Sequence, residues 1–365
     1  MSLSVDISCA LGGFTLHAAF EAPDGVTVLF GRSGSGKTSV VKAIAGLLAP
    51  DEGRIVLNER VLFDGANKVK LPVHRRRLGY VFQDSRLFPH LTVRDNLCYA
   101  ARVSGRGSPS PGHVGELLGI SHLLDRRTHA LSGGEAQRVA IGRALLSEPD
   151  MLLMDEPLAS LDGPRKAEIL PYLETLRRET GISILYVTHN MAEVARLATH
   201  IVLIDDGLVI RSGAPDEVLT DPEVVRLLGI RDAGAVLSAR VAAPPEDGLS
   251  TLSISGGRLF LPAVDAPVGA ALRVRILAQD VILSRARPEG LSALNILPVR
   301  VLAVRRGEGP GVIVQLLAGD DRLLARITRR SADALGIAAG TECYAVMKSV
   351  AVSQTDIAVG LQSGI

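Results

Sequence analysis

The sequence predicts an α/β layered domain with a helical subdomain, followed by a small all-β barrel of OB-like type. Three observations carry that prediction. The apolar run Val26–Phe30 passes through a glycine-rich turn, Gly31 to Thr38, into helical apolar spacing from Ser39 to Leu48, the strand–turn–helix order of an α/β layer. Residues 150–208 then read as strand, helix, strand, helix, strand. From about Ala233 the texture changes to short β-rich runs punctuated by Pro and Gly, the pattern of a barrel or sandwich.

The glycine-rich turn is Gly31-Arg32-Ser33-Gly34-Ser35-Gly36-Lys37-Thr38. It fits G-x-x-x-x-G-K-[ST], the loop that wraps nucleotide phosphates. Its glycines let the backbone turn N–H groups inward, and the following helix adds the positive end of its dipole. Lys37 is then expected to reach the β- and γ-phosphates and Thr38 to ligate Mg²⁺. A helix-rich stretch over about 84–147 follows, interrupted by a connector, Val103 to Gly112, that is too rich in Gly, Ser and Pro to be helical throughout. Near its end, Leu131-Ser132-Gly133-Gly134-Glu135-Ala136-Gln137-Arg138 runs into an apolar helix, Val139 to Leu146, with Ser132 as the expected N-cap.

The next apolar run, from Asp150, closes on Asp155 and Glu156. Beside a phosphate loop these carboxylates have ready roles, Asp155 holding Mg²⁺ and Glu156 polarising the attacking water. A strand over Ile182 to Val187 leads to Thr188-His189, Asp205-Asp206-Gly207 reads as a hairpin turn, and one short helix from Pro215 to Leu228 closes the domain. In the tail, strands are expected at Val236–Val241, Thr251–Ile254, Leu272–Leu277, Val299–Val304, Val312–Leu316 and Leu323–Ile327.

Taken in order, these landmarks resemble an ABC-type P-loop ATPase over residues 1–230. The resemblance implies that Phe14 stacks on adenine and that Gln83, in Gly79-Tyr80-Val81-Phe82-Gln83, senses Mg²⁺ and water and meets a transporter partner. It also implies that Ser132, Gly133, Gly134 and Gln137 form the family signature, that Asp162 in Ser160-Leu161-Asp162 lies in the loop crossing to an opposite subunit, and that His189 is the switch histidine. Taken singly, Gln83 also reads as a polar strand end, His189 as a structural histidine and Phe14 as core; the order of the set carries the assignment. In this family the signature of one subunit faces the phosphate loop of another, so two ATP molecules lie between two subunits. One phosphate loop and one signature without an internal repeat call for a second copy or a paralogue, and a homodimer is the expectation.

The tail, Leu291 to Val352, resembles the small molybdate-binding (Mop-like) β-barrel of molybdate transport ATPases. The segments Ser292–Leu297, Ala325–Thr328 and Met347–Val350 carry the likeness. Ser292, Thr328, Lys348 and Ser349 match ligands of that family's tetrahedral oxyanion site, where hydroxyls, N–H groups and one cation satisfy a dianion. The family motif usually carries Arg two residues after the serine, whereas this chain has Leu294. Losing a guanidinium fork makes weakened, rather than absent, oxyanion sensing the expectation. The implied domains are 1–232 for the nucleotide-binding domain, 233–290 for a β-rich linker or start of the regulatory domain, and 291–365 for the barrel.

Composition limits the alternatives. A net charge of +1 over 365 residues excludes a nucleic-acid-binding polycation. Cys9, Cys98 and Cys343 are few, odd in number and far apart, which suits a reducing compartment and argues for neither disulfide nor metal. The first residues lack a leader-type apolar run, and no window of about eighteen apolar residues spans a bilayer. The expectation is a peripheral ATPase on the cytoplasmic face of a bacterial inner membrane, joined to two integral-membrane permease subunits and, indirectly, a periplasmic oxyanion-binding protein. Its cargo would be molybdate, with tungstate handled similarly. The alternatives are the ATPase of a sulfate or sugar importer, or a non-transport regulator assembled by ATP; intact Glu156 and His189 speak against the last.

Overall fold

Among the described residues of the computed structural model (2–104, 110–228, 233–307, 309–353 and 356–359), eleven strands of the first unit, Met1–Ser212, make one mixed sheet. In chain order its elements are β1 (Leu3–Leu11), β2 (Phe14–Ala22), β3 (Val26–Phe30), α1 (Lys37–Ala45), β4 (Glu52–Leu57), β5 (Arg60–Asp64), β6 (Val69–Lys70) and β7 (Leu78–Val81). There follow α2 (Val93–Leu97), α3 (Tyr99–Ser104), α4 (Pro111–Leu117), α5 (Gly133–Leu145), β8 (Met151–Asp155), α6 (Gly163–Thr180), β9 (Ser183–Thr188), α7 (Met191–Leu197), β10 (His200–Asp205) and β11 (Leu208–Gly213). The strand order is β6-β5-β4-β1-β2-β11-β10-β3-β9-β8-β7.

The half from β10 to β7 is parallel. Its strands β3, β8 and β9 are buried at every residue, as expected of strands covered on both faces. On the other side β6, β5, β4, β1 and β2 pair antiparallel, β11 joins β2 in parallel, and β2 alternates buried and exposed residues as a sheet with one wet face should. Register brings the functional segments together: Phe30 lies opposite Thr188, Asp155 opposite Val187, and Val81 opposite Met154. The phosphate loop, the Asp155–Glu156 pair, the Thr188–His189 pair and the Gln83 segment therefore all leave the sheet at its C-terminal edge, where open α/β sheets bind ligands.

Most expected elements are present with shifted ends. The phosphate-loop helix starts at Lys37, and Asp206 and Gly207, both at positive φ (44° and 78°), form the tight turn between β10 and β11. The helix expected over Pro215 to Leu228 is two, α8 (Pro215–Leu219) and α9 (Pro222–Leu228). Pro222 explains the break, because it lacks an N–H and pushes Asp221 away from helical backbone. Part of the expected connector Val103 to Gly112, namely residues 105–109, lies outside the described residues.

In the second unit, Gly213–Ile365, the strands are β12 (Gly234–Glu246), β13 (Leu249–Ile254), β14 (Gly257–Pro262), β15 (Ala271–Leu277), β16 (Ile282–Ser284), β17 (Asn295–Arg306), β18 (Gly311–Ala318), β19 (Asp321–Thr328), β20 (Glu342–Met347) and β21 (Ile357–Val359), with α10 (Arg329–Ala334) before β20. They form two five-stranded sheets, β14-β13-β12-β15-β21 and β16-β20-β17-β18-β19. The pairing is antiparallel, and register shifts in the long strands β12 and β17 add bend and twist. One apolar core fills the space between the sheets, with Leu237, Leu252 and Val274 from one and Leu297, Val314 and Ala345 from the other. This is the all-β, barrel-like architecture expected of the tail.

Candidate nucleotide site

The phosphate loop is shaped by what lies behind it. A Cβ at Gly31 would stand 2.0 Å from the Ile204 carbonyl oxygen, so no larger residue fits between β3 and the end of β10. Gly36, at φ 101°, is the N-cap of α1, a left-handed conformation that favours glycine. Ser33 and Gly34 are exposed at the tip, whereas Ser35 and Lys37 are buried. The Lys37 ammonium donates to the carbonyls of Gly31 (2.9 Å) and Arg32 (2.6 Å) and to Ser35 Oγ (3.4 Å). Burial pushes its pKa down, opposed by Glu156 and Asp155. A cation taken out of water and bonded to neutral oxygens is poised to gain from an arriving anion.

Two carboxylates face this lysine. Asp155 is buried; its Oδ1 accepts from Thr38 Oγ1 (2.9 Å) and its Oδ2 from the Tyr80 hydroxyl (3.1 Å). Burial, then the Asp155 charge, holds the Tyr80 phenol well above its usual range, so it stays a donor. Glu156, the next residue, turns out of the strand at φ 46°, a left-handed position unusual for glutamate. That turn brings its Oε2 to 3.2 Å from His189 Nδ1, while its own N–H donates to the Val187 carbonyl (3.1 Å). Gln83 is exposed just beyond β7. Among the described residues no group of three His, Cys, Asp or Glu could hold a metal alone. One hydroxyl and one carboxylate fit Mg²⁺, a hard cation that takes few protein oxygens and completes its shell with phosphates and water.

The remaining landmarks lie at helix starts. Ser132 caps α5 in a reciprocal box: its Oγ accepts from Glu135 N–H (3.3 Å) and its N–H donates to Glu135 Oε2 (2.7 Å). The Ser132 N–H is also the chief reason that the Glu135 carboxyl sits below its usual range. Gly133 and Gly134 back onto Leu161 and Ile169, and buried Gln137 donates to the Phe82 carbonyl (3.3 Å). Asp162 caps α6, accepting from Arg165 N–H (3.0 Å). The half-buried Phe14 ring lies beside Gly36 and Gly207, close enough that a Cβ at Gly207 would come within 2.8 Å of it.

The candidate oxyanion residues of the tail are more scattered. Asn295 pairs with Met347, so exposed Ser292 and Leu294, just before β17, and exposed Lys348, just after β20, share one end of that strand pair. Ser349 is buried there, and its hydroxyl has no hydrogen-bond partner. Thr328 does not join them. It pairs with Gly311, at the end of the sheet where Arg306 lies opposite Val312, and its Oγ1 is engaged with Ser331 (2.7 Å).

Known proteins resemble this chain in both of its parts. Residues 20–159 match the ABC transporter family model and residues 291–354 the TOBE domain model. The chain is 49% identical over 355 residues to the molybdenum import ATP-binding protein ModC of Rhizobium meliloti (strain 1021), covering 96% of this chain and 99% of that one. The chain belongs to the ABC transporter ATP-binding family. Another relative in that family, ModC of Mesorhizobium japonicum, is 47% identical over 99% of this chain and 98% of its own. Among solved structures, CbiO1 of Clostridium perfringens, part of an ABC transporter complex, aligns with TM-score 0.52 and 28% identity over 62% of this chain and 92% of that chain. A nucleotide-free ATP-binding cassette from an ABC transporter aligns with TM-score 0.53 and 27% identity over 62% and 97%.

Two residues of this ABC cassette escape the sequence reading. Tyr80 appears there only within the segment quoted for Gln83, yet it holds one oxygen of Asp155. Arg76 sits in a run, His74-Arg75-Arg76-Arg77, that resembles a solvated basic patch. It is 1% exposed; its Nη1 donates to the carbonyls of Ala43 (2.9 Å) and Ile44 (2.6 Å), and its Nε to that of Leu71 (2.9 Å). It therefore caps the C-terminus of α1, a favourable end for a cation.

Proposed function

We propose that the chain is the ATP-hydrolysing subunit that energises molybdate import, with tungstate handled similarly. ATP binding and coupling of hydrolysis to transport follow from membership of the ABC family and from the relatives named for molybdenum import. The observation that best supports the chemistry is the pair of contacts, Thr38 to Asp155 and His189 to Glu156, formed at one edge of the parallel sheet.

In this reading the N–H groups of the Gly31–Thr38 loop and the ammonium of Lys37 bind the β- and γ-phosphates, and Lys37 gains the counter-charge that its burial demands. Mg²⁺, held by Thr38 and Asp155 with Gln83 nearby, supplies neutralisation of phosphate charge when bound. Glu156 takes a proton from the attacking water, and His189 orients that carboxylate and the γ-phosphate. Phe14 stacks on adenine. Ser132, Gly133, Gly134 and Gln137 of a second copy, with its Asp162 loop, complete the site in a homodimer, so hydrolysis is mainly positioning and electrostatics at a seam. Among the described residues no helix is long and apolar enough to cross a membrane. The chain lies at the cytoplasmic face of the inner membrane against two permease subunits, which a periplasmic oxyanion-binding protein serves from the opposite side.

The tail is the regulatory module. Ser292, Lys348 and Ser349 supply two hydroxyls and a cation at one end of β17 and β20, and the unpartnered Ser349 hydroxyl is a natural donor to an oxyanion. Thr328 reaches such a site only from another copy. The test is uptake in a bacterial strain lacking its own molybdate import ATPase. The parent chain should restore molybdate uptake and Glu156→Gln should not; restoration of sulfate or sugar uptake instead would overturn the cargo. Calorimetric titration of the full chain should give heat with molybdate and tungstate but not sulfate, with tighter binding in Leu294→Arg.

A further inference from the structure

The loop that carries His189 is tied to a buried carboxylate that the site described above leaves unused. Glu193, in the first turn of α7, is 3% exposed. Its Oε2 accepts from the Thr188 hydroxyl (2.7 Å) and the Tyr186 hydroxyl (3.0 Å), and its Oε1 from Lys166 Nζ (3.1 Å). Asn190 closes the loop from the other side. Its side chain caps α7, accepting from the N–H groups of Ala192 (2.8 Å) and Glu193 (3.3 Å), while its own N–H donates to Thr188 Oγ1 (3.0 Å). The Thr188 hydroxyl is thus donor to Glu193 and acceptor from Asn190, which fixes its rotamer. His189 stands between these two anchored residues, 3.2 Å from Glu156.

The other arm of the network runs to α6. Lys166 lies in its first turn, where its N–H donates to the Asp162 carbonyl (3.0 Å), and Asp162 ends the loop beginning at Ser160. Further along, a second largely buried pair, Arg196 with Glu174 (2.7 Å), also fastens α7 to α6. Holding two helices together requires only apolar packing. A carboxylate this deeply buried is tolerated only when paired and fully hydrogen-bonded, and such networks specify one geometry.

We propose that Glu193 is a positioning residue for ATP hydrolysis. Through Thr188 it fixes the loop that presents His189 to Glu156, and through Lys166 it makes that loop move together with the start of α6 and the Ser160–Asp162 loop. A displacement of the latter by a neighbouring subunit would then be felt at His189. The inference rests on the reading of Glu156 and His189 as the hydrolytic pair.

The test uses the full chain, with steady-state ATP hydrolysis, ATP dissociation constant and thermal melting measured for Glu193→Gln, Lys166→Met, Lys166→Arg and Glu156→Gln. Glu193→Gln and Lys166→Met should lower kcat about tenfold or more, with ATP affinity within about twofold of the parent, and Lys166→Arg should recover most of the rate. A role in folding alone would lower melting temperature and nucleotide affinity in step with rate and would overturn the proposal. So would parent-like kcat in Glu193→Gln and Lys166→Met, or no recovery with Lys166→Arg. If Glu193→Gln does not fold, the Lys166 variants, at a half-buried position, decide the matter. If Glu156→Gln is inactive while the Glu193 and Lys166 variants match the parent, this inference alone falls. Parent-like hydrolysis by Glu156→Gln would remove the hydrolytic reading and the inference with it.

Discussion

In the first unit Lys37, Thr38, Asp155, Glu156 and His189 follow three adjoining parallel strands and meet at one edge, where Thr38 donates to Asp155 and His189 lies 3.2 Å from Glu156. In the second unit Ser292, Lys348 and Ser349 lie at one end of β17 and β20, while Thr328 lies at the other end of the sheet. The difference follows from topology. Parallel strands deliver every C-terminus to the same side, so residues far apart in sequence converge. An antiparallel sheet sends alternate strand ends to opposite sides, which leaves Thr328 apart from the other three.

The largest expected effect tests the convergent site. Glu156→Gln should lower kcat by at least about 100-fold, the range for loss of a general base, while leaving ATP binding intact; parent-like turnover would break the contrast. Next comes the support beneath the loop. Arg76→Met removes the guanidinium that bonds three carbonyls, two of them buried, and should cost about 3 kcal/mol by urea unfolding. A cost near zero would mean that α1 holds its place without the cap.

Ser349→Ala sharpens the other half of the comparison. Because the hydroxyl is buried without a partner, its removal should stabilise the protein by about 1 kcal/mol and weaken any heat of molybdate binding. Destabilisation would show that the hydroxyl serves the fold rather than a ligand. The smallest effect concerns β10, whose Ile204 carbonyl crowds Gly31. Burial lowers the pKa of His200, which bonds Ser212 (2.8 Å). The unfolded chain therefore binds a proton first as pH falls through about 6.5, and stability declines from there until the lower folded-state value is passed. His200→Gln should flatten that part of the decline, read as a smaller fall in melting temperature between about pH 7.5 and about pH 5.5.

What was legible in the sequence was what the chain writes contiguously. The phosphate loop, the Ser132 cap and the strand closing on Asp155 and Glu156 each depend on neighbours within a few residues, so their roles can be read locally. Tail strands such as β12 and β18 were legible for the same reason, through runs of β-formers between Gly and Pro. The helix expected from Pro215 to Leu228 is divided at Pro222, a local break that the expectation passes over. Arg76 and Glu193 were not legible, because nothing near them in sequence distinguishes a buried, bonded charge from a solvated one. Their partners, Ala43 and Ile44 for the first and Lys166 for the second, are supplied by distant segments through tertiary packing. Short strands such as β16 and β21 owe their pairing to the sheet edges that they complete, not to their own composition.

The fit of Gly31 against Ile204 also orders events in time. Strand β3 and the phosphate loop are among the first parts of the chain to be synthesised, yet both sheet neighbours of β3 come from residues 183–205. A nascent chain that has not reached β9 carries the loop with neither flank of its supporting strand in place, and closing such non-local pairings is slow. Nucleotide capture is therefore a late event that certifies a nearly complete first unit. Chains truncated before Ser183 should fail to retain ATP, whereas chains ending just after Ser212 should hold it; retention by the shorter chains would show that the loop matures without its neighbours.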